Sequence, residues 1–217
     1  MIEILLYVSS GMILFAYVGY LLMILIGRSK VISKSDGFDV TKDIISEYNS
    51  INIIESTGHF TIYNIKRKVI KLATKCYYGK DLSSVALSLN EAGISVVDNN
   101  KNKYIDIFRI IFYNLKLLYI FPIIALVISN SSFNINDAKI SMILILIFAF
   151  ISYILIDIKR EACFWVEKNL NKIKDITKEN RGKLIGFMNK LILLDQIIYF
   201  GELIMIIRFA LILFGIN

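Results

Sequence analysis

The chain has few of the residues that build metal centres, disulfide frameworks and chain breaks. Its 217 residues include two cysteines, one histidine and one proline. Cys76 and Cys163 are far apart in sequence and neither has a CxxC partner, so neither a disulfide framework nor a thiolate zinc site is predicted. With His59 as its only histidine, a single copy of the chain lacks the two imidazoles of a histidine metal site. The net charge of +7 accompanies no recognised nucleic-acid-binding motif, and we expect no nucleic-acid partner.

Apolar sequence, by contrast, is abundant, at 56% of the residues. Four apolar runs stand out, and the first is long enough to cross a hydrocarbon core of about 30 Å as a helix. The sequence therefore predicts a mostly α-helical, multi-pass protein of the lipid bilayer. The four predicted transmembrane helices cover residues 4–26, 107–128, 140–156 and 191–214.

The positive charges predict how the chain is oriented in the membrane. Of its 25 lysines and arginines, 22 lie in residues 28–109 and 158–190. Cytoplasmic segments of membrane proteins carry such an excess. We therefore expect a folded domain over residues 28–106 and a basic helical segment over residues 158–190, both cytoplasmic. Both termini are then expected outside the cell membrane.

Local patterns in the first polar segment predict a small α+β domain. Asp39 or Thr41 is a suitable N-cap for a short helix. Residues 59–63 alternate as a half-buried strand does, and residues 68–72 do so less regularly. We expect these two strands to form a hairpin around a turn at residues 64–67.

A longer helix is predicted to follow, with Asp81 as its N-cap. At 100° per residue, Asn90, Glu91, Ile94 and Asp98 fall together on one flank. The opposite face carries apolar and small residues at helical spacing: Leu82, Val85, Ala86, Leu89, Gly93 and Val96. This face is expected to pack on a core, and Gly93 is expected to admit another helix or backbone at close range.

The sequence Asn90-Glu91-Ala92-Gly93-Ile94 is similar to a helical zinc-protease motif without its histidines. A zincin helix places two histidines four residues apart around a glutamate that activates a metal-bound water. In this context the chain resembles the bacterial membrane-bound neutral zinc metallopeptidases, which carry a HExGH-type helix. The matching residues are Tyr63-Asn64 with Lys68, Leu72, Tyr77-Tyr78-Gly79, Glu91 with Gly93, and the charged residues that begin at Asp157.

The resemblance implies a zincin-like cytosolic domain between the first and second spans, and a zinc cofactor in the ancestral family. The two zinc histidines would fall at Asn90 and Ile94, and Asp157 could correspond to the third ligand. Because isoleucine has no lone pair and asparagine is a poor zinc ligand, we expect no zinc here. Glu91 is then a vestigial general base, expected as a solvated carboxylate. Alternatively, Glu91 and Asp98 could hold a hard divalent cation.

Three functions follow from these patterns. The first is a catalytically inactive pseudopeptidase that binds a membrane or cytosolic protein, such as an active paralogue. The second is a working metalloendopeptidase with Glu91 as general base and ligands supplied otherwise. The third is a small ion or proton transporter that uses Lys116 and Glu202, which lie within predicted spans, where charged groups are functional candidates. An ion pair between these two residues is the simpler interpretation.

Overall fold

Most of the described chain is helical, and its only strands form one small sheet. This computed structural model describes residues 2–48, 50–58, 61–99 and 135–215. In chain order the helices are α1 (Ile2–Arg28), α2 (Gly37–Ile44), α3 (Thr74–Tyr77), α4 (Leu82–Asn99), α5 (Ile135–Asn169) and α6 (Lys178–Leu213). The strands are β1 (Asn52–Ser56), β2 (Ile62–Asn64) and β3 (Val69–Ala73).

Three of the described helices are long and apolar enough to cross a membrane, namely α1, α5 and α6. They cover the predicted spans at residues 4–26 and 140–156 and all but the last residue of the predicted span at residues 191–214. The second predicted span, residues 107–128, lies outside the described residues. Many large apolar side chains on these helices are exposed, among them Leu14 and Phe15 of α1. A lipid environment accommodates such a surface, and the helices indicate a membrane protein.

The chain divides into two compact units, and the first is purely helical. Among the described residues, unit one comprises residues 2–20, 135–156 and 193–215. Its core contains one residue from α1, one from α5 and two from α6: Ile13, Ile145, Met205 and Phe209.

Unit two comprises the described residues of 21–99 and 157–192, and it holds the sheet. The strand order is β1-β3-β2, with β3 in the centre. β2 and β3 are antiparallel, with Tyr63 opposite Ile70, so the predicted hairpin is confirmed. Its bounds differ from the prediction, since Asn64 belongs to β2 and not to the turn. β1 pairs parallel to β3, and the sequence did not predict this strand. Its exposure pattern lacks the regular alternation of a half-buried strand, which explains why it was missed.

The first short helix begins earlier than predicted. Asp36, rather than Asp39 or Thr41, is the N-cap of α2, and its side chain accepts a hydrogen bond from the backbone N–H of Asp39 at 3.0 Å. The earlier start places Gly37 inside the helix and against the backbone of Cys76. A Cβ at Gly37 would lie 2.1 Å from the Cys76 carbonyl oxygen, so only glycine fits this contact.

The basic segment at residues 158–190 is not one helix, which corrects the prediction. Instead α5 ends at Asn169, a 3₁₀ turn follows at Leu170–Lys172, and α6 begins at Lys178. The Arg181 guanidinium holds this connection by donating to the carbonyls of Ile173 and Ile176 at 3.1 Å each. The turn is not apparent in the sequence, because buried apolar residues continue at helical spacing through it as far as Ile173.

Candidate functional site

The helix α4 carries the motif and lies at the centre of unit two. Its predicted N-cap is confirmed, since Asp81 Oδ1 accepts a hydrogen bond from the Ser84 N–H at 2.9 Å. Every residue of the predicted core face is buried. These are Leu82, Val85, Ala86, Leu89, Gly93 and Val96. The amphipathic pattern therefore predicted one face of α4 correctly.

Gly93 lies where α4 meets α5 closely, as its position in the sequence predicted. A Cβ at Gly93 would lie 2.7 Å from the backbone oxygen of Ala162 and 3.0 Å from the Val166 Cγ2 atom. Both neighbours belong to α5 and are buried. The glycine therefore permits a helix contact that any side chain would push apart.

Glu91 is buried, at 5% exposure, so the expectation of a solvated carboxylate is wrong. Its Oε2 atom accepts a hydrogen bond from the backbone N–H of Tyr63 at 2.7 Å. Tyr63 lies on β2, opposite Ile70 of β3. In an antiparallel ladder every second residue directs its N–H away from the partner strand. The Glu91 carboxylate meets this outward N–H and so closes the outer edge of β2 against α4.

The Tyr63 side chain makes a second bond to the same helix. Its hydroxyl donates to Asp98 Oδ2 at 3.0 Å, and the whole residue is buried. The two carboxylates that the sequence placed on one flank, Glu91 and Asp98, are thus joined through one residue of β2. The sequence did not predict this double contact, because the pairing of a strand with the flank of a distant helix leaves no local pattern.

The residues at the expected ligand positions do not fit a zinc ion. Ile94 is 2% exposed and offers no donor atom. Asn90 is half-buried, and its amide nitrogen lies 3.5 Å from Glu91 Oε1. Asp157 lies in the exposed part of α5. Over residues 2–48, 50–58, 61–99 and 135–215, no three His, Cys, Asp or Glu side chains lie close enough together to hold a metal ion. His59 lies outside these ranges.

The second candidate site lies in unit one, at the buried carboxylate of Glu202. This residue of α6 is 2% exposed, and its side chain is hydrogen-bonded to Ser152 of α5. The Oε2 atom has no hydrogen-bond partner among the described residues. Arg208, on the same helix, is 1% exposed. The predicted partner of Glu202, Lys116, lies outside the described part of the chain, so their ion pair stays a prediction.

Comparisons with known proteins identify no family for this chain. No protein-family model, no curated protein sequence and no solved structure matches the chain. The resemblance to membrane zinc metallopeptidases therefore rests on the residues quoted above.

Proposed function

We propose that this chain is a membrane-anchored pseudopeptidase, related to the membrane zinc metallopeptidases, that acts by binding a protein partner. The observation that carries the proposal is the state of Glu91. A general base for peptide hydrolysis must reach a water molecule beside the substrate. Here the carboxylate is buried and accepts the Tyr63 N–H, so it stabilises the contact of β2 with α4.

The ligand positions support the same proposal. A catalytic zinc site needs three protein donors and one open position. Ile94 supplies no donor and belongs to the core of unit two. The partner that we propose is a membrane or cytosolic protein, met on the cytoplasmic side of a bacterial cell membrane by residues 28–106 and 158–190.

Metal content and hydrolysis test the proposal together. Full-length protein, purified in detergent without chelators, is expected to hold well below one zinc ion per chain. It is also expected to leave a fluorogenic casein probe intact, with no difference between wild type and Glu91→Gln. Glu167→Gln, which removes an exposed carboxylate of α5, is the matched control. Stoichiometric zinc that disappears in Asn90→Ala, or hydrolysis that Glu91→Gln abolishes, would establish the active-peptidase alternative instead.

A second candidate function, ion or proton transport, has its own support in unit one. A buried carboxylate within an apolar helix assembly is a functional candidate by default, and one oxygen of Glu202 has no hydrogen-bond partner among the described residues. If the chain transports protons or cations, liposomes containing it will show a flux that Glu202→Gln abolishes. The exposed Glu179→Gln serves as control. No flux above that of empty liposomes would exclude transport.

A further inference from the structure

The two edges of the sheet differ in the hydrogen bonding of their outward-facing backbone groups. At the β2 edge, the outward N–H of Tyr63 is bonded to Glu91 of α4. At the β1 edge, no described strand pairs with the outer side. Open edges favour pairing with another chain, and proteins commonly protect them with charges or cover them. Among the described residues, one edge of this sheet is thus bonded to a helix and the other is unpaired, which suggests different roles for the two edges.

The ladder shows which groups of β1 point outward. The Asn52 N–H donates to the Lys68 carbonyl at 3.1 Å, so Asn52 faces β3. In a parallel ladder, alternate residues direct both their N–H and their C=O to the same side. Ile53 and Glu55 therefore present their backbone groups to the outer side, where an added strand would bond them. β1 contains no proline or lysine that would oppose such pairing.

An acidic and aromatic surface adjoins this edge. Glu55 Oε2 accepts a hydrogen bond from the hydroxyl of Tyr78, which is 59% exposed, at 3.1 Å. The Tyr77 ring meets the Tyr78 ring edge-on at 4.9 Å and stacks on Phe38 at 4.8 Å. Asp36 lies close enough to act electrostatically on Tyr78. We call this group, Asp36, Phe38, Glu55, Tyr77 and Tyr78, the Tyr78 corner.

The Tyr78 corner has the chemistry of a site for a basic side chain. Aromatic faces attract Lys and Arg side chains, and a nearby carboxylate adds a charge-assisted hydrogen bond. The hydrogen bond to Glu55 also raises the pKa of the Tyr78 phenol, as expected where the local potential is negative. Two carboxylates, Asp36 and Glu55, therefore lie at this surface beside the β1 edge, together with Lys42, whose Nζ atom lies 5.9 Å from the centroid of the Phe38 ring.

We propose that the outer edge of β1 binds an extended segment of a partner protein as an added strand, and that the Tyr78 corner holds a Lys or Arg side chain of that segment. The inference rests on the proposed binding function and names the partner's chemistry. Backbone hydrogen bonds at Ile53 and Glu55 would give affinity for an extended segment of any sequence. The Tyr78 corner would give specificity for a segment with Lys or Arg.

Charge decides between a basic partner segment and a second copy of this chain. Pairing of β1 with another β1 would bring a second Glu55 to a surface that already carries Asp36 and Glu55. Like charges placed together at a pairing edge are destabilising. An extended segment with a Lys or Arg at the same place instead gains an ion pair and a cation–π contact.

Three labelled heptapeptides test the proposal with full-length protein in detergent. Each alternates threonine and valine, and the central residue is Lys, Gln or Glu. Fluorescence anisotropy is expected to rank them Lys, then Gln, then Glu, with about fivefold between successive members, since an exposed ion pair contributes up to about 1 kcal/mol. Glu55→Lys is expected to reverse the ranking. Glu167→Lys makes the same charge change on α5 and is expected to leave the ranking unchanged.

A proline variant tests the strand pairing itself. The Ile53 N–H points away from β3, so Ile53→Pro keeps the ladder to β3 and removes an outward donor. It is expected to abolish binding of all three peptides while the fluorescence of Trp165, in unit two, keeps its wild-type spectrum. Undiminished binding by Ile53→Pro, an unchanged ranking in Glu55→Lys, or no binding at millimolar peptide would overturn the proposal.

The outcomes separate this inference from the proposed function. Zinc-dependent hydrolysis that requires Glu91 would refute the pseudopeptidase proposal and leave binding at the β1 edge intact. Loss of the peptide ranking would refute binding at this edge and leave the absence of catalysis intact. If crosslinking shows a β1–β1 dimer, the occupant is a second copy and the proposal of a basic partner segment fails.

Discussion

The carboxylate of Glu91 is a hydrogen-bond acceptor for a buried backbone donor, and its removal has a calculable effect. Glu91→Ala leaves the Tyr63 N–H without its partner at a buried site. An unsatisfied buried donor costs about 1–3 kcal/mol. We therefore expect the free energy of unfolding of unit two to fall by at least this amount, measured in urea by the fluorescence of Trp165, the chain's only tryptophan.

The matched control for that variant is Glu91→Gln. Its side-chain amide carbonyl can accept the same N–H, so its loss of stability is expected to be smaller. Equal losses for the two variants would mean that the carboxylate charge, not the hydrogen bond, stabilises this contact. No loss for Glu91→Ala would contradict the structural role of Glu91 altogether.

Cys76 makes the stability of unit two depend on pH in the alkaline range. Its burial raises the pKa of the thiol above the ordinary 9.0. Above this ordinary value the unfolded chain releases the thiol proton while the folded chain retains it. Stability therefore falls as pH rises above about 9, and the thiol has no such effect at lower pH. The measurement is urea unfolding of wild type and Cys76→Ala at neutral and alkaline pH; parallel curves for the two proteins would contradict it.

At the residue scale, the sequence predicted local roles better than distant partners. Asp81 was recognisable as an N-cap because its partner, Ser84, is three residues away. Glu91 was expected to be solvated because helical periodicity alone assigns it to the polar flank. Its actual partner, Tyr63, lies 28 residues earlier. Local spacing contains no information about which strand will cover a helix flank.

Among the helices, the contact of α4 with α5 depends on Gly93. Gly93→Ala places a methyl group 2.7 Å from a backbone oxygen of Ala162, and backbone cannot move aside as a flexible side chain can. We expect a loss of about 1–3 kcal/mol, typical of overpacking. Urea unfolding followed by Trp165 fluorescence measures it.

Gly182→Ala is the control for this variant, because a Cβ there meets nothing within 4 Å. Replacing a helical glycine by alanine at an open position is expected to stabilise α6 by up to about 1 kcal/mol. The two variants therefore change stability in opposite directions. A stabilising Gly93→Ala would mean that α4 and α5 do not meet at this glycine.

Helices and strands were predicted correctly where one hydrophobic period runs through the whole element. The prediction failed where two helices lie within one segment. The hairpin of β2 and β3 and the core face of α4 follow regular periods, and both are confirmed. Apolar residues at helical spacing continue from Ala162 to Ile173, although a turn at Leu170–Lys172 divides two helices there. The motif of α4 was likewise located from sequence, whereas the open edge of β1 depends on a parallel pairing across 17 residues.

For the molecule as a whole, the distribution of Lys and Arg predicts an orientation in the membrane. Labelling of single cysteines tests this orientation. The second predicted span, residues 107–128, would make the number of crossings even and place both termini outside. A variant without native cysteines, carrying Gly58→Cys, is expected to react with an impermeant maleimide only after cell disruption. Ser132→Cys, in the segment between the second and third predicted spans, is expected to react in intact cells, because that segment would lie outside. Gly215→Cys, near the C-terminus, is also expected to react in intact cells. If Gly58→Cys reacts in intact cells together with Ser132→Cys and Gly215→Cys, the segment at residues 107–128 does not span the membrane and the N-terminus is cytoplasmic.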